Sequence, residues 1–184
     1  MTATPSFELP EGRGLRALAE TDAIELHALI EANRAHLARW MPWAANQTPE
    51  NTADFIRSTR RQLANGDGLQ AALTSGTAIV GVAGFHGVDW PNRATSLGYW
   101  LAAAAQGHGA MTHAVRALVD HAIGTWELNR VEIRADVENL RSRAIPERLG
   151  FKIEGTLRQA QRLGESYRDQ VVYAMLAEEW AGAQ

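Results

Sequence analysis

The stretch Gln106-Gly107-His108-Gly109-Ala110-Met111-Thr112 decides how the rest of the chain is read. It follows the short apolar run Leu97-Gly98-Tyr99-Trp100-Leu101, which predicts a strand. It opens a segment whose apolar residues Met111, Val115, Leu118, Val119, Ala122 and Ile123 recur at helical spacing. A glycine-bearing turn therefore joins a strand to a helix N-terminus. Glycines let the backbone approach a ligand closely, and the free N–H groups and helix dipole there favour a phosphate. An ordinary strand–helix turn is the competing reading of the same residues.

Two phosphate motifs are excluded by inspection. No G-x-x-x-x-G-K-[ST] run is present, so there is no P-loop lysine, and no G-x-G-x-x-G, so the dinucleotide fingerprint is missing. A second segment then carries the weight. It runs from Val131-Glu132-Ile133-Arg134-Ala135-Asp136-Val137-Glu138-Asn139 through Leu140-Arg141-Ser142-Arg143-Ala144-Ile145-Pro146-Glu147-Arg148 to Leu149-Gly150-Phe151.

Bulk properties narrow the function classes. At 184 residues the simplest expectation is one domain over 1–184, large enough to bury a core without staples. The formal net charge of −3 provides no basic field, so nucleic acid is not an expected partner. With no cysteine there is no disulfide, thiolate nucleophile or Cys-based metal site, and no metal is expected. No signal-like segment or long apolar run is seen, which predicts a cytoplasmic protein without a membrane span. Lys152 is the only lysine. The arginine bias suits phosphate recognition, but a GC-rich coding sequence is the preferred explanation.

Along the chain, Phe7–Leu18 reads as a first strand bent at Gly12 and Gly14. Asp22 with Glu25 suggests a capping box on a helix carrying Ile24, Leu26, Leu29, Ile30 and Leu37 and ending near Trp40-Met41-Pro42-Trp43. Thr48-Pro49 caps a second helix that stops at Asn65-Gly66. Strands follow over Leu69–Leu73, Ile79–Phe85 and Thr95–Leu101, then the 109–123 helix, a strand over Val131–Val137 and a short helix from Ser142 to Leu149. Ile153–Leu157 and Gln170–Leu176 close the chain as an antiparallel pair, and Met1–Pro5 is expected to be disordered. The order β-α-α-β-β-β-α-β-α-β-β predicts a mixed α/β (α+β) sheet with helices on its faces.

These phrases together resemble the GNAT N-acyltransferase superfamily, in the branch of the ribosomal-protein alanine/serine N-acetyltransferases of the RimL/RimJ type. The resemblance is carried by Gly98-Tyr99-Trp100-Leu101, Gln106-Gly107-His108-Gly109, Asn129-Arg130-Val131-Glu132-Ile133, Asn139-Leu140-Arg141-Ser142, Glu147-Arg148-Leu149-Gly150-Phe151 with Glu154-Gly155, and Tyr167-Arg168-Asp169. It implies a mostly antiparallel twisted sheet of six to seven strands whose central pair, Thr95–Leu101 and Val131–Val137, splays apart. It implies acetyl-CoA as co-substrate, with the backbone of Gly98, Tyr99, Trp100 and Leu101 along the pantetheine and that of Gln106, Gly107, His108, Gly109, Ala110, Met111 and Thr112 around the pyrophosphate. Asn139 resembles the carboxamide that fixes the pantetheine arm, and Arg148 belongs to the same binding set. Ser142 resembles the hydroxyl beside the thioester sulfur, a role compatible with its also capping the short helix. A homodimer is also expected, partly because Gln170–Leu176 looks like an edge strand.

Acyl transfer to an amine needs a neutral nitrogen, a polarised carbonyl and a leaving thiolate. Both positions where relatives in this branch tend to carry a carboxylate are neutral here, namely Ser96 and Gln161. The base is then ordered water, with Gln161 positioning it and partial help from His86, since an α-amine is partly neutral already. The Trp40-Met41-Pro42-Trp43 turn and Trp90 are placed beside an acceptor cleft or in the core. The expected activity is acetyl transfer to a primary amine, foremost a protein or peptide N-terminus. A resistance-type acetyltransferase of an amine-bearing small molecule and a catalytically weak acyl-CoA-binding protein are the alternatives.

Overall fold

The computed structural model describes residues 5–182, so Met1–Thr4 of the expected disordered terminus fall outside the described residues. A hairpin comes first: β1 (Ser6–Leu9) and β2 (Arg13–Ala17) pair antiparallel across a turn where Glu11 and Gly12 take positive φ. The single bent strand expected over Phe7–Leu18 is thus two strands. Among the described residues this raises the sheet to eight strands rather than six or seven.

Helix α1 (Ala23–Ala32) buries Leu26 and Ile30, one turn apart, while Ile24 points to solvent. The expected capping box does not form. Asp22 instead accepts from Arg16 at 2.6 and 2.8 Å and from the N–H of Ala19, and Glu25 accepts from the N–H of Ile79. Asp22 closes the preceding turn on Ala19 instead, and Glu25 is drawn away to the strand that carries Ile79. The helix also stops sooner than expected, at Asn33, and is followed by α2 (Arg34–Leu37) and a 3₁₀ turn over Pro42–Asn46. Helix α3 (Pro49–Ala64) is capped as its sequence predicts: Thr48 Oγ1 accepts from the N–H of Asn51, and Pro49 takes the first helical position.

Strands β3 (Gln70–Ser75), β4 (Ala78–Asp89) and β5 (Ala94–Leu101) form an antiparallel meander. Helix α4 (Ala110–Gly124) then crosses to β6 (Arg130–Asp136), which lies parallel to β5. After α5 (Leu140–Arg148) come β7 (Lys152–Leu163), β8 (Ser166–Leu176) and a terminal turn of helix, α6 (Ala177–Ala181). The sheet order is β1-β2-β3-β4-β5-β6-β8-β7, with β5–β6 its parallel pair.

β8 is therefore interior, between β6 and β7, and not the edge strand expected at Gln170–Leu176. Val171 through Met175 are all buried, so β8 is covered on both faces, with Val171, Tyr173 and Met175 in the core under α4. The edge on this side is β7, exposed along nearly its whole length, and β1 is the opposite edge.

Helices cover both faces. Leu26, Ile30, Ile56, Val82 and Trp100 make one core under α1 and α3. Leu73, Phe85, Leu97, Leu118, Ile133 and Tyr173 belong to the larger core under α4. No described helix is long and apolar enough to cross a membrane.

Candidate active site

The parallel pair opens as it runs. β5 and β6 are in register from Ala94↔Arg130 to Leu97↔Ile133, and there the pairing stops, although β5 continues to Leu101 and β6 to Asp136. The other edge of β5 stays paired to β4 through Leu101↔Gly81. Backbone polar groups of Gly98–Leu101 that face β6 have therefore lost their ladder. A cavity of about 1090 Å³ opens at this gap, lined by Gly98, Tyr99, Trp100, Asp136, Asn139 and Ser142 among others.

Helix α5 presents Asn139 and Ser142 to the gap. Asn139 is its N-cap, and its Oδ1 accepts from the N–H of Ser142 at 3.2 Å. Ser142 is thus not the cap, so its hydroxyl serves no capping role. The helix is anchored to the sheet by Arg143, which donates to Tyr173 Oη at 2.8 Å while that hydroxyl donates to Glu147 at 2.7 Å. The turn before it is held by Asp136, only 4% exposed, which accepts from Arg168 Nε at 2.8 Å and from the N–H of Glu138.

The turn expected to take phosphate lies beside the gap rather than in the cavity lining. Gly107 and Gly109 have φ of +89° and +70°, and Gly109 is the N-cap of α4 with no side chain capping the helix. Among the described residues no side chain caps the first N–H groups of this 15-residue helix. Three arginines border it: Arg13 donates to His108 O at 3.0 Å, Arg141 to Gln106 Oε1 at 2.6 Å and Arg148 to Thr112 Oγ1 at 2.6 Å. Gln106 Nε2 also lies 2.9 Å from His36 Nε2. Ala110, Met111 and Leu101 are buried core residues, so only their backbone is available to a ligand. Of these arginines only Arg148 is expected from sequence. Arg13 comes from a hairpin 95 residues away, which no local signal reveals.

His86 sits within β4 rather than after it, and its ring packs against the α-carbon of Gly98. A Cβ there would meet His86 Nε2 at 2.3 Å, so a glycine is required. His86 Nδ1 is 3.2 Å from Ser96 Oγ. The ring is open to the cavity yet crowded by its walls. That desolvation, with the nearby Arg134 charge, lowers the His86 pKa below the ordinary imidazole value. Gln161 reaches the same cavity from β7 and accepts from Gln170 Nε2 at 3.3 Å.

Trp40, Met41, Pro42, Trp43 and Phe55 form the mouth, with Trp43 40% and Phe55 36% exposed. Trp90 does not join them: its indole donates to Gly66 O and its ring meets Trp126. His27 faces Thr52 on α3. No group of three or more metal-ligating side chains is found among the described residues.

Comparison with known proteins agrees with this architecture. Residues 13–152 match the acetyltransferase (GNAT) domain family. The chain is 38% identical over 91% of its length to "Putative ribosomal N-acetyltransferase YdaF" of Bacillus subtilis (strain 168), covering 93% of that protein. Among solved structures, RimL, a ribosomal L7/L12 alpha-N-protein acetyltransferase in complex with coenzyme A, superimposes with a TM-score of 0.90 at 27% identity, over 95% of this chain and 99% of that one. The microcin C7 self-immunity acetyltransferase MccE, in complex with acetyl-CoA and AMP, gives 0.84 at 30% identity over 91% and 97%. A splayed parallel pair beside an uncapped glycine turn, on a sheet shared with these enzymes, places the chain in the GNAT family as an acetyl-CoA-dependent N-acetyltransferase.

Proposed function

We propose that the chain transfers the acetyl group of acetyl-CoA to the α-amine of a protein or peptide N-terminus, by direct attack with both substrates bound. The observation that carries this reading is the continuity of the cavity: one space runs from Asn139 and Ser142 at the strand gap to the open aromatic mouth of Trp40, Trp43 and Phe55. A chain end fits such an opening, and its amine meets the thioester at the gap. In this reading the freed backbone edge of Gly98–Leu101 and Asn139 hold the pantetheine arm. The amides of Gln106–Thr112, bordered by Arg13, Arg141 and Arg148, hold the phosphates. Ser142 gives its proton to the departing thiolate.

The amine loses its proton to ordered water held near Gln161, with His86 as a minor acceptor. A depressed pKa keeps His86 neutral at physiological pH but also makes it a weak base. The expected kcat/KM for a peptide beginning with Ala or Ser therefore climbs with pH toward the pKa of the peptide's own amine. His86→Ala should cost less than Ser142→Ala. Were His86 the main base, the profile would instead break below the usual histidine value, and the break would vanish in His86→Ala. Release of free thiol without an acetylated peptide, or no release with any amine, would overturn the reading.

A second acceptor class is favoured by one feature. The half-exposed rings of Trp43 and Phe55 suit a planar group next to the amine, as in a nucleotide-linked amine. Running the same assay with such amines beside the peptides separates the two.

We also propose a homodimer, with β7 as the strand that needs covering, since it is the long exposed edge and carries exposed Ile153 and Leu157. Sedimentation at micromolar concentration should give the mass of two chains. A single species with the mass of one chain would exclude this.

A further inference from the structure

The carbonyl of Ser142 lacks its ordinary helical partner. In a regular α-helix it accepts from the N–H four residues on, but that residue is Pro146, which has no N–H. The donor comes from another element: the Tyr99 hydroxyl donates to Ser142 O at 3.0 Å. The same phenol oxygen accepts from Ser142 Oγ at 3.4 Å. With Asn139 Oδ1 on its N–H, Ser142 is fixed at its nitrogen, its carbonyl and its hydroxyl. Tyr99 belongs to β5, on the opposite side of the strand gap from α5, so these bonds span the gap.

We propose that Tyr99 is a positioning residue for acetyl transfer, whose phenol braces the peptide group and side chain of Ser142 so that the serine hydroxyl faces the strand gap. This rests on the role given to Ser142 above and adds the residue that aims it. Burial raises the Tyr99 pKa well above the ordinary phenol value, so the ring stays protonated and its hydrogen stays on the Ser142 carbonyl. Toward Ser142 Oγ the phenol is then only an acceptor, at a distance that makes the bond weak. A thiolate forming in the gap is a far stronger acceptor, and the serine hydrogen turns to it.

The protons balance without the phenol. The amine nitrogen bonds to the acetyl carbon. The carbon–sulfur bond breaks with its electron pair on sulfur, and sulfur takes the Ser142 proton. The proton shed by the amine returns to the serine oxygen through water. Tyr99 holds its own proton throughout.

Tyr99→Phe keeps the ring and removes both bonds. The test is a double-mutant cycle on kcat with Ser142→Ala, together with KM for acetyl-CoA and the melting temperature. Tyr99→Phe should lower kcat about 5- to 20-fold, the kinetic equivalent of one or two hydrogen bonds, with KM for acetyl-CoA held within about twofold. In the Ser142→Ala background it should cost less than about twofold more. A merely structural tyrosine would lower the melting temperature and cost the same factor in both backgrounds, which would overturn the inference. So would an unchanged kcat in Tyr99→Phe while Ser142→Ala is slow. If Ser142→Ala itself turns over normally, the role given to Ser142 has failed, and the brace fails with it.

Discussion

Replacing Gly109 by leucine should abolish the stabilisation of this protein by coenzyme A. With coenzyme A at about 100 times its dissociation constant, mass action adds about 2.7 kcal/mol to the folded state. For a domain of this size that corresponds to a rise in melting temperature of about 5–10 °C. Gly109 is the N-cap of α4, at φ +70°, in a position where Ser, Thr, Asp or Asn would usually occupy the first N–H groups. Here no side chain does, which leaves those donors for an anion.

The space around Gly109 is open: an added Cβ would meet only His113, at 3.7 Å. A branched side chain there fills the approach to the amides instead of clashing with the fold. The variant should therefore still fold. The left-handed backbone costs a non-glycine residue about 1–2 kcal/mol, so its melting temperature without ligand drops by a few degrees. Gly109→Ala carries the same backbone cost with less obstruction and should keep part of the shift. A full shift in Gly109→Leu, measured by thermal unfolding with and without coenzyme A, would move the phosphate site elsewhere.

The second large effect is expected at Ser142. Ser142→Ala should lower kcat by roughly 10- to 100-fold, toward the low end of general-acid contributions. Stability should hardly change, because Asn139 and not Ser142 caps α5, and the bond lost is the long one to Tyr99. Binding of coenzyme A should also persist, since the backbone groups of the gap and of the turn are untouched. The signature is a fall in kcat with an unchanged thermal shift. A variant within twofold of the parent kcat would show that the thiolate leaves without help from this hydroxyl.

What the linear chain determined is what neighbouring residues decide among themselves. Helical spacing and the glycines marked α4 and the turn that opens it; Thr48-Pro49 set the start of α3, and Asn65-Gly66 its end. These features depend on contacts within a few residues, and the same holds for the alternation that made β6 a strand. The phrases around Asn139 and Ser142 placed both at one helix start, because the cap and the hydroxyl lie within a single turn.

What only the tertiary structure decided are the contacts between distant segments. Asp22 and Glu25 have the pattern of a cap, yet Glu25 accepts from the N–H of Ile79, 54 residues away, which leaves Asp22 to Arg16 and Ala19. Gln170–Leu176 has the look of an edge, but β7 folds back outside it, and strand order is not written in any one strand. Arg13 and Arg141 reach the glycine turn from a hairpin and a helix that only folding brings near. Tyr99 meets Ser142 because β5 and β6 part after Leu97, and that parting is a property of the assembled sheet, not of either strand.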